Sequence, residues 1–421
     1  MTDGRQQFLD AASAIGAGLC RDALWDSERC NWLGDVMEFC LGSWQVVHRT
    51  FAPELYGGTS GIALFLARLY QATGERLLRT TAEGAMAQVL SRWETLPESS
   101  RLSYYAGSVG IADALAAAGD ALEQPELVTQ ALETLSSHLR AEPGPYMLDV
   151  INGMAGAIPP LLKLHSRYSR PELLERAITL GDRLLSLANP RDAGWSWTTM
   201  QPVSGSNAPD LTGFSHGTAG IVWALLELHR STGRSDFLEA AMQGIRYEQS
   251  WFQSDVENWP DFRGQPVTRP DGTARYNCAL AWCHGAPGIA LGRLRAYQIT
   301  RDPEIRAQAE AAVRSTARAL AASIPGQESY CLCHGAGGNA ESLIYASRVL
   351  GERTYMRAAE QSGVRGIELY HRAGLNWPCG VTGGGMNPSL LIGLAGIGYF
   401  YLRLYDEARF PSVLIPGDSS I

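Results

Sequence analysis

Two cysteines in this chain are followed directly by His-Gly: Cys283-His284-Gly285, after Trp282, and Cys333-His334-Gly335, after Cys331-Leu332. Each opens a glycine-framed segment, Gly285-Ala286-Pro287-Gly288 and Gly335-Ala336-Gly337-Gly338. Thiolate and imidazole are the usual soft and borderline ligands of zinc. One such dipeptide would be weak evidence, because free cysteine is also a common small buried residue. Recurrence at the same point of a repeated phrase is stronger, and the expectation is that the two meet in space and hold one catalytic metal. Four ligands are candidates: Cys283, His284, Cys333 and His334. A structural site would use all four, whereas a catalytic one would use three and keep a position for water or substrate. A structural clip has little to stabilise in a large helical core, so the catalytic reading leads, with structural zinc and coincidental core packing as alternatives. Cys331 and Cys278 read as buried small residues.

The elements that must position these groups emerge from self-similarity. A Gly-x-x-Gly phrase recurs seven times, beginning at Gly58, Gly107, Gly153, Gly217, Gly285, Gly335 and Gly393, at intervals of 49, 46, 64, 68, 50 and 58 residues. A helix-period apolar stripe follows each phrase, as in Ile62, Phe65, Leu66, Leu69 and Tyr70. Several stripes end in a turn such as Thr73-Gly74 or Thr232-Gly233 and continue into a second helical stretch. No sustained two-residue alternation appears, so β structure is expected to be minor. Seven helix pairs cannot each bury an apolar face alone and must stack. Closure into a ring is favoured over an open solenoid because the inner stripes are small and apolar (Ala112, Ala114, Ala116, Ala117, Ala118). The fold expected is all-α: an α/α toroid of seven helical hairpins. It forms one domain over 1–421, with residues 1–50 (one helix, then Trp25, Cys30, Trp32, Cys40 and Trp44) as a capping segment and 51–421 as the seven-repeat ring.

That register gathers polar residues. The position before the first glycine holds Ala106 and Asn152 in repeats two and three, then His216, His284 and His334 in the next three. Cys283 and Cys333 stand one residue earlier. Asp149, among apolar neighbours before Gly153, reads either as a helix N-cap or as a carboxylate pairing with His216, a general acid/base. The polar insert at 250–276 and the Gly383-Gly384-Gly385 loop are candidate substrate contacts.

Composition narrows the function. Apolar residues make up 45% and charged residues 19%, so a large core is within reach and disorder is not expected. The net charge is −8 and no basic stripe occurs, which argues against nucleic acid. The first 25 residues, with Asp3, Arg5, Asp10, Arg21 and Asp22, hold no apolar run long enough for a signal peptide, and the most apolar stretch, Leu390 to Leu402, is too short to span a bilayer. Eight cysteines are too few for a disulfide scaffold. The expectation is a cytoplasmic enzyme.

The seven phrases, with Ser215-His216-Gly217, Trp282-Cys283-His284-Gly285 and Cys333-His334-Gly335, resemble the lanthionine synthetase C-like cyclase family from about Leu55 to Leu404. Glu54-Leu55-Tyr56-Gly57-Gly58, Asn258-Trp259-Pro260-Asp261 and Gly393 to Gly398 with Pro411-Ser412-Val413-Leu414 are similar to the cyclase half of class II lanthipeptide synthetases. This chain carries no dehydratase half, so it would be a free-standing cyclase or an excised cyclase domain. The resemblance implies one Zn2+ on Cys283, Cys333 and His334, with His284 a neighbour and His216 and Asp149 in the active site. Some members carry an arginine four residues before the first cysteine ligand, where this chain has Ala279. The implied substrate is a dehydrated precursor peptide, with a separate dehydratase as a possible partner. Its Cys thiol would add to dehydroalanine or dehydrobutyrine, and His216 would supply the proton at Cα. Addition of an external thiol such as glutathione to dehydroamino acids, and a non-catalytic peptide scaffold, are the alternatives.

Overall fold

A computed structural model describes residues 3–40, 42–140, 147–200, 208–268, 272–324, 326 and 328–417; residues 269–271 of the polar insert lie outside these. In six of the seven phrases the first glycine is the N-cap of a helix, in extended backbone with φ between −138° and −113°. Gly285 is the exception at φ 89°, where a side chain would be strained. The second glycine of every phrase lies one turn in. A Cβ there would collide with the carbonyl oxygen of the residue three places before the first glycine. The pair therefore lets each helix fold back against its own approach segment.

The described chain is mostly helical. Its helices run α1 (Asp3–Arg21), α2 (Thr59–Thr73), α3 (Arg76–Arg92), α4 (Ser108–Leu122), α5 (Pro125–Leu139), α6 (Met154–Tyr168) and α7 (Pro171–Ser186). They continue as α8 (Thr218–Thr232), α9 (Ser235–Ser250), α10 (Ala286–Thr300), α11 (Pro303–Ala322), α12 (Ala336–Leu350), α13 (Arg353–Gly366) and α14 (Leu394–Tyr405). The even-numbered helices begin at the Gly-x-x-Gly phrases and are buried almost all round, as α4 shows from Ser108 to Leu122. Their odd-numbered followers bury one stripe only; in α7 it is Leu173, Ala177, Leu180, Gly181 and Leu184. Each turn between partners uses a left-handed residue: Gly74, Glu123, Ser169, Gly233, Arg301 or Gly351.

Contacts between inner helices pass from α2 to α4, α6, α8, α10, α12 and α14, and α14 returns to α2. The cycle of packing is closed. Residues 1–50, expected to form a cap, behave differently in their first half. Helix α1 packs along α14, with Phe8 stacked on Tyr401 at 6.2 Å, and fills the outer position that no helix after α14 supplies. The second half forms two hairpins, β1 (Leu24–Asp26) with β2 (Arg29–Asn31) and β3 (Leu33–Cys40) with β4 (Ser43–Thr50). Two more are β5 (Asn189–Arg191) with β6 (Gly194–Ser196) and β7 (Val267–Thr268) with β8 (Ala274–Arg275).

Backbone hydrogen bonds link the approach segments around the same end of the cycle. Leu391 N–H donates to Tyr56 O (2.9 Å), Tyr56 N–H to Tyr105 O (2.8 Å) and Val150 N–H to Ser215 O (2.9 Å). Ser215 N–H donates to Cys283 O (3.2 Å), Cys283 N–H to Cys333 O (3.3 Å) and Cys333 N–H to Leu391 O (2.8 Å). From the far end the tail enters the centre. Tyr105 hydroxyl donates to Val413 O and Trp282 Nε1–H to Leu414 O, so the tail supports the residue just before Cys283.

Candidate metal and acid–base site

The hydrogen-bonded circuit decides what meets. In six repeats the residue two before the first glycine carries its backbone bonds, with Val150, three before Gly153, in the seventh; Cys283 and Cys333 occupy the two-before position in neighbouring repeats. Their thiols are hydrogen-bonded to each other. The bond from Cys333 brings Cys283 down to about 6 against the opposing effect of burial, and the same bond pushes Cys333 up. The Tyr56 hydroxyl also hydrogen-bonds Cys333. The His334 ring holds Gly380 O through Nε2 at 2.9 Å. It also pairs with the Cys331 thiol, which lifts His334 to about 9.

The donor chemistry suits zinc: two adjoining thiols, one easily ionised, and an imidazole with one nitrogen fixed on a carbonyl, the usual way a ligating histidine is oriented. The donors stand as two pairs, Cys283–Cys333 and Cys331–His334. Among the described residues no three His, Cys, Asp or Glu side chains are gathered as a group ready to hold a metal ion.

Asp149 and His216 are 67 residues apart and meet because Val150 and Ser215 are linked in the circuit. Asp149 Oδ2 lies 2.6 Å from His216 Nδ1, and the carboxylate is fully buried. Its Oδ1 accepts from Asn152 N–H at 2.7 Å. Asp149 is therefore not the N-cap of α6, a place Gly153 takes with no side-chain cap; it braces the turn before that helix through Asn152 N–H and pairs with His216. Thr199 Oγ1 donates to the His216 carbonyl. The far ring nitrogen of His216, Nε2, is the atom left to face a substrate.

His284 stacks on His216 with ring centroids 5.6 Å apart and planes 28° apart. It is 1% exposed, and neither ring nitrogen has a hydrogen-bond partner among the described residues. Burial, then the charge of Arg263, holds it down to about 3, so the ring is neutral.

Three contributors were not read from the sequence as site residues: Tyr56, Asp261 and Arg263. Arg263 grips Asp261 through Nη2–Oδ2 (2.6 Å) and Nε–Oδ1 (3.0 Å), and its charge acts on Cys283 and Cys333. Asp261 Oδ1 in turn stands 3.9 Å from His284 Nδ1. The polar insert thus brings a cation to the site where Ala279 offers none. The signal was present in Asn258-Trp259-Pro260-Asp261, but nothing in residue spacing shows an insert folding over a distant cysteine. Ala279 has a backbone duty, its carbonyl accepting from Asn258 Nδ2 at 2.9 Å. The Gly383–Gly385 loop is tied to β3, with Gly385 N–H donating to Asp35 Oδ2 at 2.6 Å. No helix among the described residues is long and apolar enough to cross a membrane.

Comparison with known proteins gives this geometry relatives. The profile of the family described as lanthionine synthetase C-like protein matches residues 51–415. Nisin biosynthesis protein NisC of Lactococcus lactis subsp. lactis is 22% identical over 344 residues, covering 75% of this chain and 79% of that protein. The solved structure of nisin cyclase superposes with a TM-score of 0.66 at 20% identity, over 86% of this chain and 91% of the other. A glycoside hydrolase family 76 mannosidase from Bacteroides thetaiotaomicron shares the fold alone, with a TM-score of 0.52 at 12% identity over 96% and 98% of the two chains.

Proposed function

The chain belongs to the lanthionine synthetase C-like protein family, and from that premise we propose that it is a zinc-dependent lanthipeptide cyclase built on one α/α toroid domain. It joins Cys thiols of a dehydrated precursor peptide to dehydroalanine or dehydrobutyrine in the same peptide, giving thioether rings. A separate dehydratase would supply that peptide, and eight free cysteines suit a reducing cytoplasm. The observation that carries the reading is the buried Asp149–His216 pair set at the same end of the helix cycle as the hydrogen-bonded Cys283 and Cys333 thiols.

Cys283, Cys333 and His334 would hold the zinc. When bound, Zn2+ supplies the chemistry of deprotonating a coordinated thiol at neutral pH, where a free thiol near 8.5 is mostly protonated. The substrate thiolate adds to the β-carbon: a C–S bond forms, and the C=C π pair moves onto the neighbouring carbonyl as an enolate. His216 gives its proton to Cα, replacing the one that left the thiol, so no net proton is consumed. Asp149 keeps the Nδ1 side of the ring engaged, directs Nε2 outward and stabilises the imidazolium between turnovers. Held by those three residues alone, the zinc would keep a position for the substrate thiol, as a catalytic rather than a structural zinc does.

The test is His216→Ala with a dehydrated peptide that contains its own cysteine. Zinc content should match the unaltered protein while thioether formation falls by about 100-fold or more. A variant that loses its zinc would overturn this division of roles. If glutathione mass appears on the peptide in place of intramolecular loss of thiol, the reaction is addition of an external thiol.

A further inference from the structure

Buried polar atoms are almost always bonded, so each exception asks for a reason. His284 has two, side by side. Its ring is 1% exposed, and neither Nδ1 nor Nε2 has a partner among the described residues. The backbone does not explain this: the His284 carbonyl accepts from Ala281 N–H at 3.1 Å, and that turn would form with any side chain. Nor is the ring remote from the chemistry. It follows Cys283 in sequence, lies flat against His216 at 5.6 Å and has Asp261 Oδ1 at 3.9 Å from Nδ1. Asp261 is itself occupied by Arg263, through bonds of 2.6 and 3.0 Å.

We propose that His284 is a catalytic residue that donates a hydrogen bond to the carbonyl oxygen of the dehydroamino acid, with the Asp261–Arg263 pair fixing the polar wall behind it. This rests on the cyclase reading above. The reacting carbons must lie between the thiols of Cys283 and Cys333 and the proton donor His216, and His284 is the side chain that directly follows Cys283 and stacks on His216. As the C–S bond forms, the π pair leaves Cβ=Cα and negative charge collects on that carbonyl oxygen until His216 protonates Cα. A preorganised donor aimed at charge that develops only in the transition state accelerates the step rather than tightening binding. An imidazole carries at least one N–H in either protonation state, so the role needs no titration of the ring. The unbonded nitrogens of the free protein are then a donor held in reserve for substrate.

The experiment compares His284→Phe, which keeps the stack on His216 but has no N–H, with His284→Gln, which restores a donor. Cyclisation rate, KM, zinc content and thermal midpoint are measured for each. His284→Phe should lose about 100-fold in kcat with KM within about threefold, keep its zinc, and melt no lower than the unaltered protein, because two unsatisfied buried nitrogens are gone. His284→Gln should recover at least about tenfold of that loss. Should His284→Phe not accumulate folded, His284→Leu takes its place on the same criteria. Turnover in His284→Phe close to that of the unaltered protein overturns the proposal and leaves the cyclase reading standing. A lowered thermal midpoint with no rescue by glutamine also overturns it, in favour of a packing role. If the unaltered protein forms no thioether, both readings fall together.

Discussion

Replacing Asp149 by asparagine changes one atom in a site with no room to rearrange, and its consequence follows from two hydrogen bonds. Oδ1 accepts from Asn152 N–H at 2.7 Å, and the backbone donor cannot turn away. An amide in place of the carboxylate must therefore keep its oxygen there and present its NH2 to His216 Nδ1, the atom Oδ2 now holds at 2.6 Å. Two donors cannot face each other, so the ring takes the tautomer with its proton on Nε2, and an imidazolium there would meet the amide N–H directly. The proton donor is not removed but is held in the wrong state. Losing a buried charge-assisted bond together with the tautomer costs between about 100- and 10,000-fold in rate, or roughly 3–5 kcal/mol at 1.36 kcal/mol per tenfold. Asp149→Ala differs in kind: it leaves the half-buried Asn152 N–H without its partner and should also lose about 1 kcal/mol of stability. The assay is thioether formation on a dehydrated peptide, followed by mass spectrometry after thiol alkylation, beside thermal melts of both variants. Asp149→Asn turning over within about threefold of the unaltered protein would refute the pairing argument, as would rates that merely track the melts.

Cys333→Ser should lose both bound zinc and activity while Cys331→Ser keeps the metal, read by metal analysis of the purified proteins; both should fold, because Cys333 enters the circuit through its backbone. Glu257 clamps the polar insert to α11 through Arg314 (2.7 Å) and Arg318 (2.6 Å). The Arg314 bond holds its carboxyl below the ordinary 4.5. The stability it adds is therefore complete above that value and is lost as pH falls through the lower folded-state value. The melting difference between the unaltered protein and Glu257→Gln should be constant near neutrality and shrink below about pH 4. Glu123 (φ 58°) and Ser169 (φ 53°) occupy exposed left-handed turn positions that Gly74 and Gly233 fill elsewhere. Glu123→Gly and Ser169→Gly should each stabilise by about 1 kcal/mol in chemical denaturation, and Gly74→Ala should do the opposite.

The helix pairs were legible in the sequence because they are local: a glycine phrase, a stripe, a turn and a second stripe lie within about fifty residues of each other. The approach of Asp149 to His216 was legible through register, although distance in the chain hides it. What could not be read was whatever joins the ends or crosses repeats. Phe8 finding Tyr401 and Leu414 reaching Trp282 are contacts between remote segments with no periodicity to mark them. Arg263 belongs to the same class: an insert carries no register, so nothing relates it to Cys283. The set Cys283, Cys333 and His334 came from family resemblance, whereas the geometry adds that His334 is also engaged with Cys331.

The backbone circuit through Tyr56, Ser215, Cys283, Cys333 and Leu391 has one more implication. Its bonds are made by peptide groups, which are identical whatever side chain they bear. Tyrosine, serine, cysteine and leucine serve as interchangeable sockets, and the reactive groups are fittings in them. A fitting can be swapped without removing a bond of the frame, provided the replacement fills the same buried space, as the near-zero exposure of Ser215, Cys333 and Leu391 requires. A one-residue slip is a different event: it would put the residue directly before the glycine in the place of the one two before it, break the bond on each flank and unseat two fittings at once. In this molecule the frame tolerates a change of side chain better than a change of length.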